Sequence, residues 1–527
     1  MEPFFSLLYP NHKLNLINKD EIQIGDYVIA DLQLKNILNR FINNEENENA
    51  VRKELSRFCN DKDVIIYRQK ILGDFLKNND IVNYFIKIKQ SISTLFEIYN
   101  SQMFIDDLQM TAFKTFLICE NFINLYKDMF NGIDFIDTTG LSEEMKEILS
   151  FVKDTAKAAE IKSIDEEVQK IRKKLDEISE IRVNRFFSRG QNIENSITTE
   201  NSGQSITAVL ENLSERLGID KPINNERYRI NNLREPMKKL LFRAYSTAYK
   251  DIFDEITMFH NKYKDFFNIK WFELIHEVNA VIGFKLIFDK LNNKGLPITP
   301  VKISDNNGAY IHNLYSLFLI NADTDKDRIV FNDFFYSKAQ PFNLLTGPNG
   351  GGKTIFLTAV GLCYMFFQST GYIMAQEAQM TPLNGIYTHF PIEETNEAGR
   401  LKEEIKRSEK ITSEIKENCI VLLNETYSGT KSEIALELSI ALLEKLSEKN
   451  TVGIFVTHFH ELKDYVLKSD EGNIGILTAL VDESIGKRLY KVVSLSTQKG
   501  SFSGDILFKY RMTRAQLFER IRNINNK

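Results

Sequence analysis

The first half of the chain sets its apolar residues at helical rather than strand-like intervals. Ile164, Val168, Ile171, Leu175 and Ile178 step by four and three, an apolar heptad stripe. Ser163, with Glu166 three residues on, is expected to form a capping box at its start. A helix is therefore expected, in a helix hairpin or a coiled coil. No proline falls between Pro10 and Pro222, which permits long uninterrupted helices across that span. The polar stretch 190–204, rich in Asn, Ser and Thr, reads as a loop or hairpin tip. Helical patterns resume over 208–217 and from about 236 to 291. Pro297 and Pro300 then punctuate the chain. Beyond them, short apolar runs at 342–346, 419–423 and 452–457 read as buried strands, with apolar helices at 355–367 and 434–446 among them. The segments 475–481 and 489–495 read as a terminal strand pair. This alternation predicts an α/β second part, 296–527, after a mostly helical first part, 1–295.

Composition narrows the setting. At 527 residues the chain is too long for one core. Its 43% hydrophobic and 26% charged residues are those of a soluble globular protein. No apolar run is long enough to span a bilayer, so no membrane association is expected. The start, Met1 to Leu8, lacks a basic flank and a small-residue cleavage site, so no export signal is expected. Cys59, Cys119, Cys363 and Cys419 are scattered, which argues against a zinc site or disulfide framework and fits a cytoplasmic location. A formal charge of −5 gives no global pull toward nucleic acid, so any DNA contact needs local basic patches. Lys170, Arg172, Lys173 and Lys174 are candidates; a solvated helix face is the competing reading.

The chemistry concentrates at Gly347-Pro348-Asn349-Gly350-Gly351-Gly352-Lys353-Thr354, which fits the phosphate-loop pattern G-x-x-x-x-G-K-[ST] between a strand and a helix. Backbone N–H groups at the helix start favour polyphosphate, and the glycines let the backbone approach it. Lys353 is expected on the terminal phosphates of ATP, and the Thr354 hydroxyl on Mg²⁺. Hydrolysis also needs a metal-side group, a water-positioning group and a γ-phosphate sensor. The run 419–423 ends in Asn424-Glu425. Glu425 is the expected general base, with a helix-capping or surface glutamate as the alternative. Asn424 stands where a carboxylate would hold Mg²⁺ and brings no charge. His458, after the next strand, is the expected sensor; His460 reads better as a solvated helix-terminus histidine. Ser428-Gly429-Thr430 is either a loop that communicates between paired sites or an ordinary capping turn.

Together these segments resemble the ATPase domain of the MutS family of DNA mismatch repair proteins, an ABC-type P-loop NTPase fold. The family's T-G-P-N-M-G-G-K-S-T is similar to 346–354, with Gly350 in place of the methionine and Thr354 of the serine. Its L-L-D-E-x-x-x-G-T resembles 422–430, with Asn424 for the aspartate, and its A-T-H-Y-H-E-L resembles 456–462. The segments 371–376 and 382–388 resemble the family's connecting stretch, and Gln376 there joins the expected nucleotide-binding set. The end, 500–504 with a helix at 514–521, is similar to the family's closing region. Residues 63–69 resemble its helical core. The resemblance implies a DNA-binding homodimer with core and lever helices ahead of the ATPase domain and a reduced clamp near 150–225. The chain starts almost directly at the core-like segment, so an amino-terminal mismatch-reading domain is not expected. Residues 399–404 echo the family's serine-bearing segment, but no serine occupies the matching place. DNA of branched or other non-mismatch structure is the expected ligand. A nucleotide-gated interaction protein that hydrolyses ATP poorly is the alternative.

Overall fold

The computed structural model describes residues 4–16, 22–101, 107–178, 181–185, 195–199, 242–243, 245–321, 323–391, 397–427, 430–468, 473–482 and 487–495. The expected helix at 208–217, Ser428-Gly429 and the closing region at 500–521 lie outside these residues. The chain divides into two compact units. One comprises Met1–Leu14 and Gly73–Asn279, the other Asn15–Leu72 and Ala280–Lys527. The change of texture near residue 295 thus falls inside the second unit, which also takes in 15–72.

The first unit is helical, built on Asn79–Asn100, Leu108–Ile133, Glu143–Lys157, Ala159–Asp176 and Lys250–Tyr263. The stripe helix opens at Ala159, ahead of Ser163, and its N-cap makes no side-chain bond. The capping box is therefore not used. Ile164, Val168, Ile171 and Leu175 are all buried, packed toward Leu108–Ile133 and Lys250–Tyr263. On the same helix Arg172 pairs through two guanidinium nitrogens with Glu120, and Lys174 pairs with Glu255. Two of the four cations offered for DNA are thus engaged with carboxylates of their own unit, while Lys170 and Lys173 lie on the exposed face.

The helical pattern expected over 236–291 is interrupted. Lys250–Tyr263 ends, a short turn Ile269–Phe272 follows, and Glu273–Asn293 begins anew. Asn268 caps the turn by accepting from the Lys270 N–H at 3.0 Å. Trp271 is fully buried among Phe4, Phe5, Phe122 and Tyr126, edge-on, with ring centroids 5.4–5.7 Å apart. Burial of the large indole offsets the interrupted helix. The stretch read as a loop or hairpin tip holds one arm of a hairpin: Asn195–Thr199 pairs antiparallel with Ile181–Arg185. Cross-strand pairing makes Ile197, Thr198 and Thr199 extended despite polar neighbours.

In the second unit a six-stranded sheet carries the strands expected at 342–346, 419–423, 452–457, 475–481 and 489–495, and a further one at 386–389 that the sequence pattern does not mark. These are β1 (Phe342–Thr346), β2 (Ile386–His389), β3 (Ile420–Asn424), β4 (Val452–Val456), β5 (Ile474–Asp482) and β6 (Lys487–Leu495), in the order β2-β3-β4-β1-β5-β6. All neighbours are parallel except β5 and β6. The residues of β1, β3 and β4 are buried throughout, which is why they read as apolar runs without alternation. Among the described residues four helices serve this sheet: α1 (Lys353–Thr370), α2 (Glu397–Glu414), α3 (Ser432–Glu448) and α4 (His460–Lys468). One core joins Leu344, Val421, Leu423 and Phe455 of the sheet to Ile411 of α2 and Leu442, Leu443 and Leu446 of α3. Helix α1 is buried along nearly its whole length.

A second, four-stranded sheet orders Lys302–Ile303, Glu377–Met380, Ala309–Leu314 and Asn332–Tyr336. Residues 15–72 close over the far end of α1. The Ser369 hydroxyl donates to Glu54 O at 3.0 Å, the Gln368 amide to Cys59 O at 2.7 Å, and the Gln69 amide to Gly371 O at 2.7 Å. Among the described residues no helix is long and apolar enough to cross a membrane.

Candidate nucleotide site

The strand order converges the expected residues. Strand β4 lies between β1 and β3, and all three are parallel, so their carboxyl ends open on one edge. Crevices at such edges are where open α/β sheets bind ligands. The phosphate loop leaves the end of β1, Asn424-Glu425 ends β3, and Thr457-His458 ends β4. The Glu425 N–H donates to Val456 O at 2.9 Å, and the Thr457 N–H to Leu345 O at 3.0 Å, so the ladder continues to these tips.

Gly350 and Gly352 have φ of 71° and 89°, a region that L side chains rarely adopt. Gly352 caps α1 with no side-chain bond. The first-turn N–H groups therefore face the loop, as an anion requires. The Lys353 ammonium is 4% exposed. It donates to Gly347 O at 2.9 Å, Pro348 O at 3.2 Å and Asn349 Oδ1 at 3.4 Å. Glu425 Oε1 lies 3.7 Å from Lys353 Nζ. The Thr354 hydroxyl donates to Asn424 Oδ1 at 3.2 Å. Glu425 has φ +49°, a strained value for a non-glycine residue, at the sheet edge.

Several of these groups front a partly open cleft of about 660 Å³, a size suited to a small-molecule ligand. Asn349, Gly350, Gly352, Lys353, Thr354 and Glu425 line it on one side. Ile355, Phe356 and Ala359 of α1 add to that side, and Leu314–Ser316, Leu319, Arg328, Val330, Asn332 and Tyr490 line the rest. No local pattern marks these latter residues; Asn332 and Tyr490 are 158 positions apart in the chain. The Asn332 amide donates to Tyr490 O at 3.2 Å and its carbonyl accepts from the Val492 N–H at 2.8 Å, so it grips β6 from across the cleft.

The other expected residues stand apart. His458 is exposed at the β4 tip, beside Phe459, and does not line the cleft. Gln376 is outside the lining too; its carbonyl accepts from the Asn313 amide at 2.7 Å. Asn313 is held by Asp333, whose Oδ1 accepts from its N–H at 2.8 Å and also meets His312 Nδ1 at 2.8 Å. His460 opens α4.

The metal expected here is tested by the donors present. Thr354 Oγ1 lines the cleft, and Asn424 Oδ1, 3.2 Å from it, is buried and outside the lining; both are hard oxygen donors of the kind Mg²⁺ takes. No cluster of three His, Cys, Asp or Glu that could hold a metal occurs among the described residues.

Residues 343–502 match the family model of MutS domain V. The chain is 25% identical over 333 residues to the DNA mismatch repair protein MutS of Petrotoga mobilis, covering 58% of this chain and 39% of that protein. It is 30% identical over 166 residues to Endonuclease MutS2 of Lactococcus lactis subsp. cremoris, covering 31% and 21%. It is 33% identical over 144 residues to Endonuclease MutS2 of Lactobacillus gasseri, covering 27% and 18%. The matches thus span well under half the length of these relatives.

Proposed function

We propose that this chain, a member of the MutS family, is a DNA-binding ATPase. In it ATP binding and hydrolysis drive the closing of a homodimer and the clamping of branched or other non-mismatch DNA. The observation that carries the reading is the meeting of Lys353 with Glu425 and of Thr354 with Asn424, where the phosphate loop and first turn of α1 face the end of β3. The phosphate loop and the first turn of α1 hold the β- and γ-phosphates, and Lys353 exchanges loop carbonyls for phosphate oxygens. Thr354 and Asn424 hold Mg²⁺, which neutralises charge on the phosphates when bound. Glu425 accepts a proton from water as its oxygen attacks the γ-phosphorus in line; the bond to the bridging oxygen breaks and ADP leaves. His458 reaches the γ-phosphate only when the cleft closes. The helical residues ahead of the ATPase part serve as core and levers, and the protein works in the cytoplasm.

Measuring ATP turnover with duplex, mismatched and branched DNA tests this. Turnover rises with branched DNA and is lost in Glu425→Gln, which still binds ATP. Affinity for DNA falls as log salt rises, with a defined slope. Nucleotide binding without turnover or DNA affinity would instead support a nucleotide-gated interaction module. Asn424 favours that second reading, because it holds a metal without negative charge.

A further inference from the structure

The antiparallel edge of the main sheet leans over the phosphate loop. Pairing runs Ala479↔Val492 and then Val481↔Arg488, so Leu480 alone faces Leu489, Tyr490 and Lys491. This bulge puts Tyr490 at φ +54°, where Asn332 grips its carbonyl. Bulges at sheet edges commonly re-aim side chains toward sites. Here Tyr490 is the nearest neighbour of Gly352, 3.4 Å from where a Cβ would sit. The Arg488 guanidinium lies against Gly350, with Nη1 2.7 Å and Cζ 3.1 Å from the place of a Cβ. Any side chain at 350 would displace it. The methionine of the family pattern, placed at 350 on this backbone, would meet Arg488.

Arg488 is exposed, and no hydrogen bond or ion pair to it occurs among the described residues. Its neighbour Lys491 is engaged, donating to Phe331 O and lying 3.9 Å from Asp333. Lys353 is likewise taken up by the loop and Glu425. Arg488 is therefore a cation with unspent donors resting on a loop whose N–H groups already favour an anion. We propose that Arg488 is an additional polyphosphate-binding residue, donating from the β6 bulge to the phosphates of a nucleotide held in the loop. A guanidinium suits the task, since it stays charged and its planar donors match phosphate oxygens. This rests on reading the cleft as an ATP site.

Calorimetric titration of the full chain with ATP and with AMP tests it, using wild type, Lys353→Ala, Arg488→Gln and Arg488→Lys. Arg488→Gln should weaken ATP binding roughly ten- to hundredfold. AMP should lose less, and Arg488→Lys should recover part of the affinity. The deficit should shrink as salt screens the charge, and the melting temperature should stay unchanged because the side chain is exposed. Equal ATP affinity in wild type and Arg488→Gln overturns the proposal while leaving the ATP site intact. A loss that Arg488→Lys does not relieve and salt does not alter also overturns it, because packing alone would then explain it. A wild type that binds no ATP, or binds it as well as Lys353→Ala does, removes the ATP reading itself.

Discussion

Asn424 is the residue on which the chemistry of the site turns. Its Oδ1 accepts from Thr354 at 3.2 Å, and under the proposed function it orients a metal-bound water while lending the ion no charge. A carboxylate there would bind Mg²⁺ more firmly. Asn424→Asp should therefore lower the Mg²⁺ concentration needed for half-maximal turnover by roughly tenfold, the order of one charge-assisted contact. A magnesium titration of ATPase rate checks this; an unchanged midpoint would show that Asn424 does not face the ion. His389 offers a second test at the residue scale. It is fully buried, its Nε2 meets Glu404 O at 2.9 Å, and its Nδ1 has no hydrogen-bond partner. Burial first, and then Arg407, push its pKa from 6.5 down to about 4. Because the folded state holds this imidazole neutral, its stabilising contribution is complete above pH 6.5 and is lost as pH falls through 4. Melting measured at pH 7.5 and 4.5 should show a loss of about 3 kcal/mol or less, reduced in His389→Gln.

At the scale of elements, the parallel strands were the most legible part. The run 342–346 matches β1 to the residue, because a strand buried on both faces is apolar throughout. The run 419–423 became β3 one position later, ending on Asn424, since the ladder to Val456 carries the strand to its functional tip. The helix expected over 236–291 was less legible. Period alone does not reveal that Asn268 and Trp271 break it, because both residue types also occur within helices. The break is held by packing, so Trp271→Ala should destabilise the first unit by about 3–5 kcal/mol, as for large aromatic deletions in cores. Chemical unfolding followed by circular dichroism checks it; a loss under 1 kcal/mol would mean the aromatic cluster adjusts freely. The Ser163–Glu166 box failed for a related reason. The helix found earlier residues to start on, and its stripe is buried from Ile161 onward.

For the whole molecule, the partition into two units shows what distance along the chain conceals. Residues 15–72 belong with the α/β part, held there by Gln69, Glu54 and Cys59 at the far end of α1. Of Lys170, Arg172, Lys173 and Lys174, candidates for DNA contact or for a solvated helix face, Arg172 and Lys174 pair with Glu120 and Glu255. Mutation of these two should change stability more than DNA affinity, whereas Lys173→Ala, on the exposed face, should reduce the salt slope of DNA binding if that face is used. By itself the sequence determined the phosphate loop, the buried strands and the pair Asn424-Glu425. Each is a local pattern imposed by backbone geometry and burial, readable without knowing what lies opposite. Only the tertiary structure decided which residues complete the cleft. Arg328, Asn332, Arg488 and Tyr490 reach the cleft or its loop through strand order and a bulge, and those depend on pairings between segments far apart in the chain.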